Sequence, residues 1–321
     1  MKRIKRNWKK VLLLVVIAFI CIQVIGGIFF YDLAIKSGPK DFLQNNADLE
    51  VADETMDLYV NGDWINWVHN QNFEELMLES RDGLKLSGYF LPATKPTDKL
   101  VILTHGYLGN AKQMGLFGIF YYQELGYNIF MPDARGHGKS EGEYYGFGWP
   151  DRLDLIDWTN ALVERLGSNT EVIYHGLSMG AATVLMASGE ADLPSQVKAI
   201  VADSPYGSVY QLFAYQMKRM FHLPAFPLLD STSLVTKVRA GYLFREASAL
   251  KEVQRTKVPI LYIHGKADTF VPVKNAIELY DNTSSSTELF LVDGANHGES
   301  FAKEPEAYKE KVQQFLQQTL K

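Results

Sequence analysis

From Phe73 onward, short apolar runs rich in β-branched residues alternate with longer segments of helical period, and that alternation admits few folds. The runs are Glu74–Glu79, Lys85–Leu91, Leu100–Thr104, Tyr127–Pro132, Glu171–His175, Val197–Ala202, Pro259–His264 and Glu288–Val292. Only a turn at Arg81-Asp82-Gly83 separates the first two, which therefore read as an antiparallel hairpin. Beyond Leu100 each strand is followed by a helix-length segment. Parallel pairing needs such crossovers, so a mostly parallel sheet covered by helices on both faces is expected. Asp151–Leu166 illustrates the crossovers, with Leu153, Ile156, Val163 and Leu166 on one helical face and charges opposite. No internal repeat interrupts the pattern.

Before this α/β region lies a segment of another kind. Val11–Phe30 contains no charged residue and only Gln23 as a strongly polar one. At about 1.5 Å per residue such a helix spans roughly 30 Å, a hydrocarbon core. Six basic residues (Lys2, Arg3, Lys5, Arg6, Lys9 and Lys10) and no acid precede it, which disfavours a buried core helix. A cleaved signal peptide would have an apolar region of about 7–15 residues and then a small-x-small site. Here the run is longer, and Gly26-Gly27 and Ala34 are poorly placed for cleavage. The expectation is an uncleaved signal anchor over 11–30, with the basic flank 1–10 cytoplasmic and residues 31–321 outside; secretion after cleavage is the minor alternative. Residues 31–72 lack clean periodicity and read as a tether, with Gly38-Pro39 and Asn45-Asn46 among its polar positions. Within it, Met56–Val68 is compatible with a helix that docks through Trp64 and Trp67.

Composition supports this division. A hydrophobic fraction of 47% excludes disorder, and a single cysteine, Cys21 inside the apolar run, excludes a disulfide framework. The formal net charge of −5 conceals an asymmetry: residues 11–321 hold 26 basic against 37 acidic residues, a net of −11. That balance disfavours a nucleic-acid partner.

In an open parallel sheet, ligands bind beyond the carboxyl ends of the strands. Gly176-Leu177-Ser178-Met179-Gly180 stands there, after the run ending at His175 and before a helical segment that begins with small residues. Gly-x-Ser-x-Gly permits a tight strand-to-helix turn that presents the serine, and it leaves the Met179 amide at a helix N-terminus facing a developing anion. A serine hydroxyl needs a base, and the base an orienting carboxylate. Of seven histidines, His297 follows the last strand through Asp293-Gly294-Ala295-Asn296 and is the favoured base. His105, His137, His175 and His264 stand in or beside Gly-containing turns and read as structural; His69 and His222 lie in the tether and in the insertion. For the acid, Asp268 after the seventh run is favoured over Asp203 after the sixth. Asp133 reads as a turn residue able to pair with Arg135. His105-Gly106-Tyr107-Leu108-Gly109 follows the third run and offers the Tyr107 amide as second oxyanion donor, with the Tyr107 ring either lining the pocket or touching substrate.

The order Ser178, Asp268, His297, with HGYLGN (105–110), DARGHGKS (133–140), GLSMG (176–180), HGKADTFVP (264–272) and ANHGES (295–300), resembles the α/β-hydrolase superfamily over residues 73–319. It looks most like bacterial membrane-anchored serine hydrolases or carboxylesterases. The resemblance implies an eight-stranded, mostly parallel sheet over 73–321, a Ser-His-Asp triad, and no metal or cofactor. One departure is Tyr107, where many relatives carry Phe.

Residues 204–257 form no obvious βα unit and lie where this fold carries a helical cap. Tyr206, Tyr210, Phe213, Tyr215, Phe221, Phe226, Tyr242 and Phe244 crowd the segment, with Met217 and Met220. An apolar lid suits an acyl chain or aromatic ester, although packing of the cap explains many of these residues equally well. Ser284-Ser285-Ser286 reads as a solvated loop. The expected activity is extracytoplasmic hydrolysis of an apolar carboxylic ester. The rivals are a serine peptidase or aminopeptidase, an acyltransferase using the same triad, and a surface binding protein on a hydrolase scaffold.

Overall fold

The computed structural model describes residues 2–43 and 53–320 of the chain. Side chains of the basic flank before Lys9 lie outside the described part, as do Asn45 and Asn46 of the tether. Three helices precede the sheet: α1 (Lys2–Ala34), then α2 (Asp53–Asn61) and α3 (Asp63–Asn70). The helical stretch expected over 56–68 is two helices, because Gly62 takes an extended conformation between them. Of the two tryptophans expected to dock, Trp67 is buried, beside Val68, and Trp64 is half-buried.

The strands are β1 (Glu74–Glu79), β2 (Lys85–Leu91), β3 (Lys99–Thr104) and β4 (Asn128–Pro132), then β5 (Glu171–Leu177), β6 (Val197–Asp203), β7 (Ile260–Gly265) and β8 (Thr287–Val292). They form one sheet in the order β1-β2-β4-β3-β5-β6-β7-β8. β2 pairs antiparallel with β1 and β4, and all other pairings are parallel. Alternation within the inner strands fills two cores: Leu100 and Ile102 of β3 enter one, Val101 and Leu103 the other.

The remaining helices are α4 (Gly115–Gln123), α5 (Asp151–Leu166), α6 (Met179–Ser188), α7 (Val209–Phe221), α8 (Leu228–Ala240), α9 (Ala249–Val253), α10 (Lys274–Asn282), α11 (Ser300–Lys303) and α12 (Pro305–Thr319). In α5 the buried stripe is Leu155, Ile156, Trp158 and Leu162; Leu153, Val163 and Leu166 flank it half-buried. Between β6 and β7 the chain builds α7 and α8, which contribute to the wall of the cavity over Ser178, and α9, which packs against α6 and α10. Trp8–Ala34 of α1 is long and apolar enough to cross a membrane. Its outer circumference is exposed from Val11 to Phe29, while Tyr31 and Ile35 are buried against the main body.

Candidate active site

Ser178 sits between β5 and α6 with φ 54° and ψ −110°, a conformation an L-residue adopts only when its surroundings impose it. The two motif glycines supply that constraint. A Cβ on Gly180 would overlap the Thr104 carbonyl, and one on Gly176 would overlap the backbone of Gly180 itself. Ser178 is thereby lifted out of the sheet edge, and the Met179 amide becomes the first of the N–H groups that α6 cannot satisfy internally.

His297 reaches this serine from the loop after β8. Its Nε2 lies 2.8 Å from Ser178 Oγ, and its Nδ1 lies 2.7 Å from Asp268 Oδ2. Asp268 follows β7 in a turn whose amides converge on it: Phe270 N and Val271 N donate to Oδ1 at 2.9 and 2.7 Å. His264 Nε2, 2.7 Å from the Val271 carbonyl, is also 3.1 Å from Asp268 Oδ2. Burial alone would raise the Asp268 carboxyl, but His297 and the hydrogen bonds from His264 and His297 hold it well below its usual range. For His297 burial lowers the imidazole, and the Asp268 carboxylate outweighs it, so the net direction is upward.

Asp203 does not touch His297. Its Oδ1 accepts from Ser204 Oγ at 2.9 Å and its Oδ2 from Tyr308 Oη at 3.0 Å. Tyr308 continues to His175 Nε2 at 3.1 Å, and His175 Nδ1 meets Tyr121 Oη at the same distance, a buried polar chain below the sheet edge. His105 and His137 stitch two turns together: Ala134 N donates to His105 Nε2 at 3.0 Å and Leu108 N to His137 Nε2 at 3.3 Å. Asp133 does not pair with Arg135. It accepts from the amides of Ala111 and Lys139, while Arg135 forks onto Asp154 and Asp82, because the turn between them points the two side chains apart. His69 and His222 have no part in the site.

Gly106 packs against Ser178, at van der Waals distance from its Cβ for a Cβ placed on the glycine, which brings the Tyr107 backbone beside the nucleophile. The Tyr107 ring lines the cavity, edge-on to Tyr145 at 5.2 Å, and its hydroxyl donates to the Ala34 carbonyl at 2.8 Å. Burial raises that phenol far above its ordinary range. The hydroxyl is thus committed to the end of α1 and not to a substrate.

Over Ser178 opens an apolar cavity of about 830 Å³, mouth included. Phe213, Met217, Met220 and Phe221 of α7 line it together with the buried Tyr206 and Phe244, whereas Tyr242 is buried outside the lining. Phe226 does neither; it stands 75% exposed. Two contributors escaped the sequence reading. Phe30, Leu33 and Ala34 of α1 form part of the wall, and Tyr59 Oη of α2 donates to the Gly298 carbonyl at 2.6 Å, steadying the His297 loop.

A family model described as the alpha/beta hydrolase fold matches residues 99–228. The uncharacterized protein YqkD of Bacillus subtilis is 30% identical over 255 residues, covering 77% of this chain and 81% of the relative. The chain belongs to the α/β-hydrolase superfamily. Among solved structures it is similar to a Pyrococcus furiosus esterase, with a TM-score of 0.63 and 27% identity over 78% of this chain and 92% of the other. It also superposes on an acylaminoacyl peptidase of Pyrococcus horikoshii, with a TM-score of 0.60 and 16% identity, over 82% of this chain and 44% of the other. That second likeness concerns the fold alone. The family and the likeness to the esterase support a hydrolase.

Proposed function

We propose that this α/β-hydrolase is a membrane-anchored serine hydrolase of carboxylic esters. The observation that carries the reading is the His297 imidazole held between Ser178 Oγ at 2.8 Å and the Asp268 carboxylate at 2.7 Å. Ser178 Oγ attacks the ester carbonyl as His297 takes its proton, and the amides of Tyr107 and Met179 receive the oxyanion. Collapse of the tetrahedral intermediate breaks the bond to the alcohol, which leaves with the proton from His297. Water then repeats the sequence on the acyl-Ser178 intermediate and releases the acid. Asp268 holds the imidazole in the required tautomer and stabilises its charged form.

An ester is favoured over a peptide because the cavity wall is nearly all apolar. Apart from the Tyr107 and Tyr206 hydroxyls, which are given to the Ala34 and Phe147 carbonyls, Gln216 and Thr232 are the polar side chains that join Ser178 in lining it, too few to satisfy a peptide backbone. The basic residues before the apolar stretch of α1 support an outer-side catalytic domain by the positive-inside rule. A fluorophosphonate probe should label wild-type protein at Ser178. Ser178→Ala should lose both labelling and p-nitrophenyl butyrate hydrolysis, the latter by at least about 10⁴-fold, with unchanged thermal unfolding. Full turnover by that variant would refute the assignment.

A further inference from the structure

The cavity above Ser178 has two unlike walls. One is the cap, through Met217, Met220 and Phe221; the other is the last turns of the N-terminal helix, through Phe30, Leu33 and Ala34. The walls meet where the Phe30 and Phe221 rings stand edge to face at 5.1 Å. The apolar run of α1 ends at Phe30, two residues before Asp32, so the seam between the walls lies at the level where the helix would leave a bilayer.

The cap also descends along α1. Its helix α8 lies beside residues 23–32: Leu228 against Gly26, the Ser231 backbone against Gly27, and Arg239 paired with Asp32 at 3.0 Å. Both chains thus run in the same direction, and the first turn of α8 stands about 6 Å below Phe30, at 1.5 Å per residue over four residues. The close approach at Gly27 needs the missing side chain, since a Cβ there would sit 3.0 Å from the Ser231 carbonyl oxygen. The connection before α8, residues 222–227, holds no Asp, Glu, Lys or Arg, and it exposes Leu223 and Phe226; the first acid, Asp230, lies in the first turn of α8 and pairs with Arg245 at 3.4 Å. Leu234 and Val238, one turn apart on α8, are exposed as well. Exposed apolar side chains thus occur on the cap as well as around α1.

We propose that the anchor helix completes the acyl-binding pocket, and that the substrate is a long-chain lipid ester drawn from the leaflet α1 leaves, entering along the seam between α1 and the cap. The inference rests on the serine-hydrolase reading above and names its substrate class. An acyl chain moving from the bilayer into this cavity exchanges one apolar surrounding for another. A chain arriving through water must first be exposed, at a cost that grows with every methylene. The chemistry is the two-step transfer already given: the ester C–O bond breaks, the alcohol leaves protonated through His297, and water releases the fatty acid from Ser178. The hydrogen bond from Tyr107 to the Ala34 carbonyl gives the pocket wall and the oxyanion loop a common support.

The test uses the full chain reconstituted in phosphatidylglycerol–phosphatidylethanolamine vesicles. A fluorogenic long-chain diacylglycerol is supplied either in the same vesicles or in separate ones at equal bulk concentration. Hydrolysis should be at least about tenfold faster in the same vesicles. In parallel, the ratio of kcat/KM for p-nitrophenyl palmitate to that for the butyrate is measured. Ala34→Trp, which fills the anchor wall, should lower the ratio about tenfold, and Phe30→Ala, which opens it, should raise the ratio. Equal rates in the two vesicle arrangements, or a ratio indifferent to both substitutions in protein that the fluorophosphonate probe still labels, would overturn this inference alone. Loss of labelling and of butyrate hydrolysis in the wild type would overturn the hydrolase reading and this inference with it.

Discussion

Asp203 and Asp268 stand at the carboxyl ends of adjacent strands, β6 and β7, and both are buried, yet their charges are managed in opposite ways. Burial pushes the Asp203 carboxyl up to about 6, because the groups that meet it are the hydroxyls of Ser204 and Tyr308. Asp268 suffers the same desolvation but faces His297 and His264 and accepts two backbone amides, which together hold it far down the scale. Depth of burial is therefore no guide to which carboxylate supports a base. The partners decide: neutral donors make Asp203 a strut, and an imidazole that gains a proton during turnover makes Asp268 its counter-charge.

The largest expected effect separates the two directly. Asp268→Asn should lower kcat/KM for p-nitrophenyl butyrate by about 10⁴-fold, since an amide cannot balance the imidazolium and presents the wrong donor to Nδ1. Asp203→Asn should cost less than about tenfold in kcat/KM, with its loss appearing in stability, on the order of 1 kcal/mol, as the Tyr308 hydrogen bond rearranges. If the second substitution abolished turnover and the first did not, the roles given to the two carboxylates would be exchanged.

A smaller effect appears in the pH dependence. Hydrolysis needs neutral His297, and Asp268 raises its pKa above the ordinary histidine value of 6.5 despite burial. Activity should therefore fall as pH drops through that raised value, by about tenfold per unit once the imidazole is protonated. In Asp268→Asn the raising partner is gone and burial, which lowers the pKa, remains. The acid limb of its residual activity should move to lower pH, whereas Asp203→Asn should shift the limb down only slightly, because Asp203 is the weakest of the raising influences on His297. A limb at the same pH in wild type and Asp268→Asn would break the electrostatic half of the comparison.

The eight strands were legible because the inner ones are buried on both faces and so read as unbroken apolar runs, as in Leu100–Thr104 and Pro259–His264. Ser178 was legible for a related reason: the glycines around it are demanded by backbone overlap, so the motif records geometry directly. What stayed hidden depends on distant pairings. Nothing near His264 signals that its Nε2 reaches Asp268, because the contact arises from the turn after β7 closing back on the strand. The α1 wall is less legible still. Phe30 meets Phe221 across nearly two hundred residues of chain, and an all-apolar run carries no periodic mark to separate the face that touches lipid from the face that touches the cap. Gly26 and Gly27, first weighed only as a cleavage site, are where α8 comes to rest.

The smallest expected effect concerns a residue that sits between these regions. Tyr107 departs from the Phe of many α/β-hydrolases, and its extra hydroxyl donates to the Ala34 carbonyl, one of the last carbonyls of α1 and so without a partner inside the helix. Tyr107→Phe keeps the ring in the cavity and the backbone amide beside Ser178, so butyrate turnover should change by no more than about threefold, the yield of well under 1 kcal/mol. The half-buried carbonyl loses its donor, and thermal unfolding should shift down by the equivalent of about 1 kcal/mol. Should Tyr107→Phe instead cost as much as Asp268→Asn, the hydroxyl would have to act on the reacting ester, and its hydrogen bond to the anchor would not describe the working state.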